Sequence, residues 1–301
     1  MLIFVIVLAV VGSALTATML FAFTGRDRSV LFGRSESINV DGVQRSFLVA
    51  KASPQKPRNL VLGLHGFGGD GRQFAYYTAL HNAFGSDTMV VYPNASAPKV
   101  GQKTGWNADF CCGSGWKNQV DDVGFLEALI AELRQKHDIA ADRVFIVGFS
   151  NGAFMAQRFA SERPGLVRAV VSGAGTIGTH GLNGRTLRPT SPVPMLLMHG
   201  SKDERVMYKG GTSPGDPEFD WLSFIETSSA WQQANQCNAE PQVIETADRR
   251  TTTYGGCAAP LLTIEFLNDA HVWHGARLLN VWTRRPKASR EAAAFFASVA
   301  P

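Results

Sequence analysis

Residues 144–155 read Val-Phe-Ile-Val-Gly-Phe-Ser-Asn-Gly-Ala-Phe-Met, and no other stretch restricts the possible folds as much. An apolar, β-branched run ends in Gly148-Phe149-Ser150-Asn151-Gly152, and a helix-compatible segment follows. That is the layout of a nucleophile elbow, in which a strand turns sharply into a helix and lifts a serine Oγ clear of the backbone. The turn brings strand and helix so close that a Cβ at Gly148 or Gly152 would collide with its neighbour. The helix that starts after Ser150 also aims free N–H groups at the spot where an oxyanion would form. A five-residue pattern with three fixed positions arises by chance, so the flanking strand and helix give it its weight.

A chain of 301 residues, 45% hydrophobic, can bury the core of one large α/β domain or of two small ones. Only 18% of residues are charged and the formal net charge is +4, too mild and too scattered for nucleic acid as a partner. Met1–Phe23 carries no charge and is long enough to span a bilayer as a helix. Three readings stay open for it: an uncleaved anchor, a cleaved signal peptide that lacks a clean basic n-region and cleavage site, and a buried helix. If it remains, the membrane is a partner through this segment. Arg26 and Arg28 after the span weakly favour a cytoplasmic body.

The cysteines argue the other way. Cys237 and Cys257 flank a polar stretch and suit a disulfide in an oxidising compartment, with two free buried thiols as the alternative. A bond between the adjacent Cys111 and Cys112 would close a strained ring, so each is expected to be free or paired elsewhere. No C-x-x-C spacing accompanies them, and no zinc is expected. Together these features favour an extracytoplasmic domain, periplasmic or secreted, tethered at its N-terminus.

The pattern divides the chain into a hydrophobic segment (1–24), a polar connector (25–37) and one α/β domain (38–301). Strands are expected as a pair around Asp41-Gly42 within 38–50, at 60–64, 88–92, 144–149, 168–172, 195–199 and 262–267. Helices are expected at 73–84, 121–136, after Ser150, at 223–236 and at 290–299. Residues 179–194 and 210–217 read as loop insertions. Strands alternating with helices imply a mostly parallel sheet with helices on both faces.

A serine needs a base to take its proton and an acid to fix that base. Elbows of this kind take their partners in the order serine, then aspartate or glutamate, then histidine. His65, His81 and His137 precede Ser150, and His180 and His199 precede the best acid, leaving His271 and His274. Asp203 is that acid, just past the carboxyl end of a buried strand where α/β sheets place their sites. Glu204 is its adjacent rival, and a turn or cap role is the alternative. His271, in the loop after a late strand, is the expected base. One oxyanion donor is the N–H of Asn151; the other is expected from Phe67, whose glycine neighbours 66, 68 and 69 let the backbone turn inward. Trp106, Trp116, Phe110 and Trp273 form an aromatic cleft or, alternatively, core packing; His274 is a candidate substrate or capping contact. The chemistry requires no metal and no cofactor.

His65-Gly-Phe-Gly-Gly69, Trp106-Asn107, Cys111-Cys112-Gly113, Asp121–Leu126, Gly148–Gly152, His199–Val206 and His271-Val-Trp273 occur in this order. As a set they resemble the polyhydroxybutyrate depolymerase/feruloyl esterase group of α/β-hydrolases, close to carbohydrate esterase family 1, over about residues 38–300. The resemblance implies the α/β-hydrolase fold and an extracytoplasmic carboxylic-ester hydrolase with Ser150, Asp203 and His271 as its triad. Its substrates would be feruloyl or acetyl polysaccharide esters, or hydroxyalkanoate esters. Members of the group usually follow the histidine with Trp-Pro-Gly; here Trp273-His274-Gly275 stands instead, which is expected to loosen that loop and alter leaving-group recognition. The N-terminal span and residues 216–221 are further departures. A tethered binding protein that keeps the fold without catalysis, and more remotely a serine peptidase, are the competing classes.

Overall fold

A computed structural model of the chain describes residues 33–51, 56–96, 102–181, 187–213, 216–276 and 287–300. The hydrophobic segment 1–24 and most of the connector lie outside the described residues. Among the described residues, no helix is long and apolar enough to cross a membrane.

The chain opens with a hairpin of β1 (Arg34–Val40) and β2 (Val43–Lys51). Its turn, Asp41-Gly42, takes positive φ at both residues (50° and 83°), the twist that joins antiparallel strands through two residues. β1 begins at Arg34, so residues 34–37 belong to the sheet and not to the connector. Their alternating charges, with Arg34 bonded to Glu36 at 2.6 Å, suit a solvated edge and carry no apolar signal.

There follow β3 (Asn59–Leu64), α1 (Gly71–Thr78), β4 (Thr88–Pro93), the short α2 (Gly113–Lys117), α3 (Asp122–His137), β5 (Val144–Phe149), α4 (Asn151–Glu162), β6 (Ala169–Gly173) and β7 (Met195–Gly200). A small hairpin of β8 (Gly211–Ser213) and β9 (Asp216–Trp221) occupies the expected loop insertion. Then come α5 (Phe224–Ala234), β10 (Ala239–Glu245), β11 (Arg249–Gly255), β12 (Leu261–Phe266) and α6 (Lys287–Val299). The helix expected to reach Phe84 stops at Thr78, because Ala79 adopts a left-handed conformation (φ 45°) and caps it.

Ten strands form one sheet in the order β1-β2-β4-β3-β5-β6-β7-β12-β11-β10. The six from β4 to β12 run parallel, and an antiparallel pair closes each edge. Alternation along the central strands divides the core in two. Leu60, Leu62, Leu64 and Ile146 face α3, α4 and α5, whereas Val61, Phe145 and Val147 face α1 and α6. Both faces are covered, which is why these strands read as unbroken apolar runs. Fully burying each such side chain is worth about 1.5–3 kcal/mol. This is the α/β-hydrolase fold.

The β10–β11 hairpin was not expected from the sequence. Every residue of β10 is exposed, so no apolar period marks it. Arg250 ties it to the sheet through Glu245 (2.8 Å) and Glu265 (2.9 Å). The disulfide Cys237–Cys257, 20 residues apart, closes its base, which stabilises the domain by about 3 kcal/mol in the chain-entropy model.

Candidate active site

All six parallel strands end at one edge of the sheet, so the loops after β3, β5, β7 and β12 converge there. Ser150 follows β5 with φ 54° and ψ −123°, a conformation that costs a non-glycine residue roughly 1–3 kcal/mol and marks the strained turn of an elbow. The close approach requires glycine on both sides. A Cβ on Gly148 would overlap the Gly152 carbonyl, and one on Gly152 would overlap the carbonyls of Leu64 and His65 at the end of β3.

Ser150 Oγ lies 2.9 Å from His271 Nε2, and His271 Nδ1 lies 2.7 Å from Asp203 Oδ2. Asp203 is almost fully buried, and its other oxygen accepts the backbone N–H groups of Arg205 and Val206, both at 2.9 Å. With the acid so fixed, the His271 proton belongs on Nδ1 and Nε2 is left to face the serine. The loops carrying acid and base are stitched together. Ser201 N donates to Phe266 O (3.0 Å), Lys202 N to Asp269 O (2.9 Å) and Asn268 N to Ser201 Oγ (3.0 Å). His199 sits behind Asp203 and donates through Nε2 to Val206 O (2.8 Å). Burial holds its pKa below the ordinary range, so it stays neutral.

Of the two expected oxyanion donors, Asn151 follows the serine in the chain and Phe67 borders the same cavity. The Asn151 N–H is at the first position of α4 and has no intrahelical acceptor. The Phe67 N–H has no backbone acceptor among the described residues. Its orientation follows from its own peptide. The Gly66 carbonyl accepts from His65 Nδ1 (2.8 Å) and from Gly69 N (3.1 Å). In a trans peptide C=O and N–H point opposite ways, so pinning that carbonyl turns the Phe67 N–H away from His65. His65 Nε2 accepts from Ala95 N (3.1 Å), which makes the ring neutral with its proton on Nδ1.

Burial pushes the His65 pKa down from the usual 6.5 to about 4. The unfolded chain therefore binds a proton that the folded one refuses between those values. This contribution to stability is whole above pH 6.5 and is lost as pH falls toward 4, on the order of 3 kcal/mol. Urea melts between pH 7 and pH 4 should show this acid sensitivity in the wild type and a shallower slope in His65→Asn. Equal slopes would mean that His65 is not the neutral donor described.

Several expected substrate contacts prove to be scaffold. Trp106 is fully buried, stacks on Phe125 and donates to the His65 carbonyl (3.0 Å). The Asn151 side chain clasps the Trp106 backbone from both sides, with bonds of 2.6 and 3.0 Å. Asp122, paired with Arg45 at 2.6 Å in the core, holds the Asn107 N–H at 2.7 Å. Trp273 is buried and bonded to Ser289 (2.9 Å). His274 does not reach the serine. Its ring stacks on Phe266 at 3.8 Å and is hydrogen-bonded to Asp269, so it fastens the loop that it was expected to loosen.

The cavity beside Ser150 and His271 is instead walled by Phe154, Phe219, Trp221 and Val206, by Phe67 and Arg205, and by Cys111 and Cys112. Those two cysteines form a disulfide with each other, against expectation. Both are buried in this wall, and the other two cysteines are already paired, so no other sulfur is available. Phe110 and Trp116 back the wall, packing on Phe154 and Phe219. Phe154 was legible as the residue one helical turn after Ser150. Phe219 and Trp221 lie on the inserted hairpin, where no periodic signal pointed inward. Among the described residues no cluster of side chains could hold a metal.

The geometry suits acyl transfer, and comparison with known proteins points the same way. Residues 46–213 match the phospholipase/carboxylesterase family, more than half of the chain. The match includes Ser150 and Asp203 and ends before His271. The chain is 29% identical to a protein described as putative esterase NocK from Nocardia uniformis, over 74% of this chain and 69% of that one. It is 26% identical to feruloyl esterase B of Piromyces equi, covering 53% of this chain and 29% of the other. Among solved structures, the acetyl xylan esterase of Aspergillus awamori superposes with a TM-score of 0.57 at 17% identity, covering 80% of this chain and 94% of that one. A carboxylesterase of Bacillus cereus gives 0.52 at 13% identity, over 93% and 98%. These two likenesses establish shared architecture.

Proposed function

This chain belongs to the phospholipase/carboxylesterase family and is a carboxylic ester hydrolase, and on that premise we propose that it works through Ser150, His271 and Asp203. The observation that carries the proposal is the unbroken chain of hydrogen bonds from Ser150 Oγ through His271 to Asp203, at 2.9 and 2.7 Å. His271 Nε2 takes the Ser150 proton as Oγ attacks the ester carbonyl. The Asn151 and Phe67 N–H groups hold the oxyanion. As the tetrahedral intermediate collapses, His271 gives its proton to the leaving alcohol, and an acyl-serine remains. Water repeats the sequence and releases the acid. Asp203 keeps the imidazole oriented and stabilises its cation.

The substrates we propose are feruloyl or acetyl esters of polysaccharide, or hydroxyalkanoate esters. The cavity beside Ser150 is small, about 40 Å³, and open to solvent on one side. A single water needs roughly 10–15 Å³, so this space favours a short acyl group over a phenolic ring. Both disulfides suit an oxidising, extracytoplasmic location.

A panel of acetylated xylan, hydroxybutyrate oligomers and methyl ferulate tests the substrate. The short acyl esters should be cleaved with the higher kcat/KM, and labelling by a serine-directed phosphonate should fall on Ser150. Labelling elsewhere, or none, would remove the mechanism. A clear preference for methyl ferulate would show that the cavity opens further than its walls indicate.

A further inference from the structure

Resting on the reading of Ser150 as the nucleophile, we infer that this site takes esters that also carry a carboxylate, and that Arg205 holds it. Arg205 borders the same cavity as Ser150 and His271. Its backbone N–H is bonded to Asp203 Oδ1 at 2.9 Å, so its Cα is fixed relative to the triad. The side chain is exposed and makes no ion pair or hydrogen bond with any described residue. The acids beside it in the chain do not neutralise it: Asp203 is engaged by His271, and Glu204 makes no ion pair with it.

The rest of this wall is apolar, and it holds a second unmatched donor. Trp221 is buried, and its indole N–H has no acceptor among the described residues. Lys103 adds positive charge nearby, its Nζ 5.7 Å from the ring of Phe67. A guanidinium fork matches a carboxylate through two parallel N–H bonds, and the apolar wall beside it offers no competing acceptor. A neutral ester makes no use of that cation, whereas an anionic one gains both attraction on approach and a fixed pose.

The carboxylate can belong to the acid half of the ester or to the alcohol half, and two matched pairs separate these. Methyl hydrogen glutarate against methyl pentanoate places it on the acid; 3-acetoxybenzoate against phenyl acetate places it on the alcohol. Turnover is followed by pH-stat for the whole chain. In at least one pair, the anionic-to-neutral ratio of kcat/KM should fall about tenfold or more in Arg205→Met, mainly through KM, and Arg205→Lys should retain part of it. In the wild type the same ratio should fall as salt rises from about 0.02 to about 0.5 M, a measurement that needs no variant. A ratio insensitive to both substitution and salt in both pairs overturns the inference while leaving the esterase reading intact. Failure to cleave any of the four esters, anionic or neutral, defeats the esterase reading instead, and the inference with it.

Discussion

Replacing Ser150 with alanine is expected to lower turnover of phenyl acetate on the order of 10⁶-fold, with KM and the thermal transition little changed. The size follows from serine triads acting as a unit: loss of either the nucleophile or the base costs about as much as loss of all three members. His271→Ala should therefore fall as far as Ser150→Ala, and the double variant no further. His274→Ala is the control that separates the two late histidines. Its ring braces Asp269 and packs on Phe266, so its loss should reduce activity only modestly, through a looser loop. The reverse outcome, with His274→Ala dead and His271→Ala active, would mean that the 2.9 Å contact between His271 Nε2 and Ser150 Oγ is not the catalytic one.

The second large effect concerns folding. Gly148→Ala and Gly152→Ala should each cost more than about 4 kcal/mol, a large share of the roughly 5–15 kcal/mol that holds a domain together. The new Cβ would overlap backbone carbonyls, of Gly152 in the first case and of Leu64 and His65 in the second, and backbone has no rotamer with which to yield. Relief would require α4 to move off β3 and β5, which would also disturb Ser150. Gly165→Ala is the matched control. Nothing stands within 4 Å of its Cβ and its φ is not positive, so urea melts should place it within about 0.5 kcal/mol of the wild type. A Gly152→Ala protein as stable as the wild type would show that the elbow is less tightly packed than described.

These predictions rest on residues that were visible before any coordinates, and the reason is physical. The elbow is local: its strand, turn and helix are adjacent in sequence, and each leaves a compositional mark. Chain order then narrowed seven histidines to two and selected Asp203, because parallel strands deliver successive loops to one edge. Where burial is one-sided or absent the marks fade. β10 is exposed along its whole length, and β1 begins four residues earlier than its apolar pattern does.

The sequence alone therefore determined the fold class, the elbow with its two obligatory glycines, and the set of groups from which the proposed triad is drawn. It did so because strand period, glycine at close approach and the direction of parallel strands are written in short stretches of chain. Only the tertiary structure decided what surrounds that chemistry. Trp106, Trp273 and His274 looked like contacts for a substrate and are instead the supports of the loops that carry the site. The wall facing the serine comes from α4, from the bonded pair Cys111–Cys112, and from a hairpin some 70 residues downstream of Ser150. An aromatic side chain has the same composition whether it fills a core or lines a cavity, and which it does depends on what distant segments pack against it.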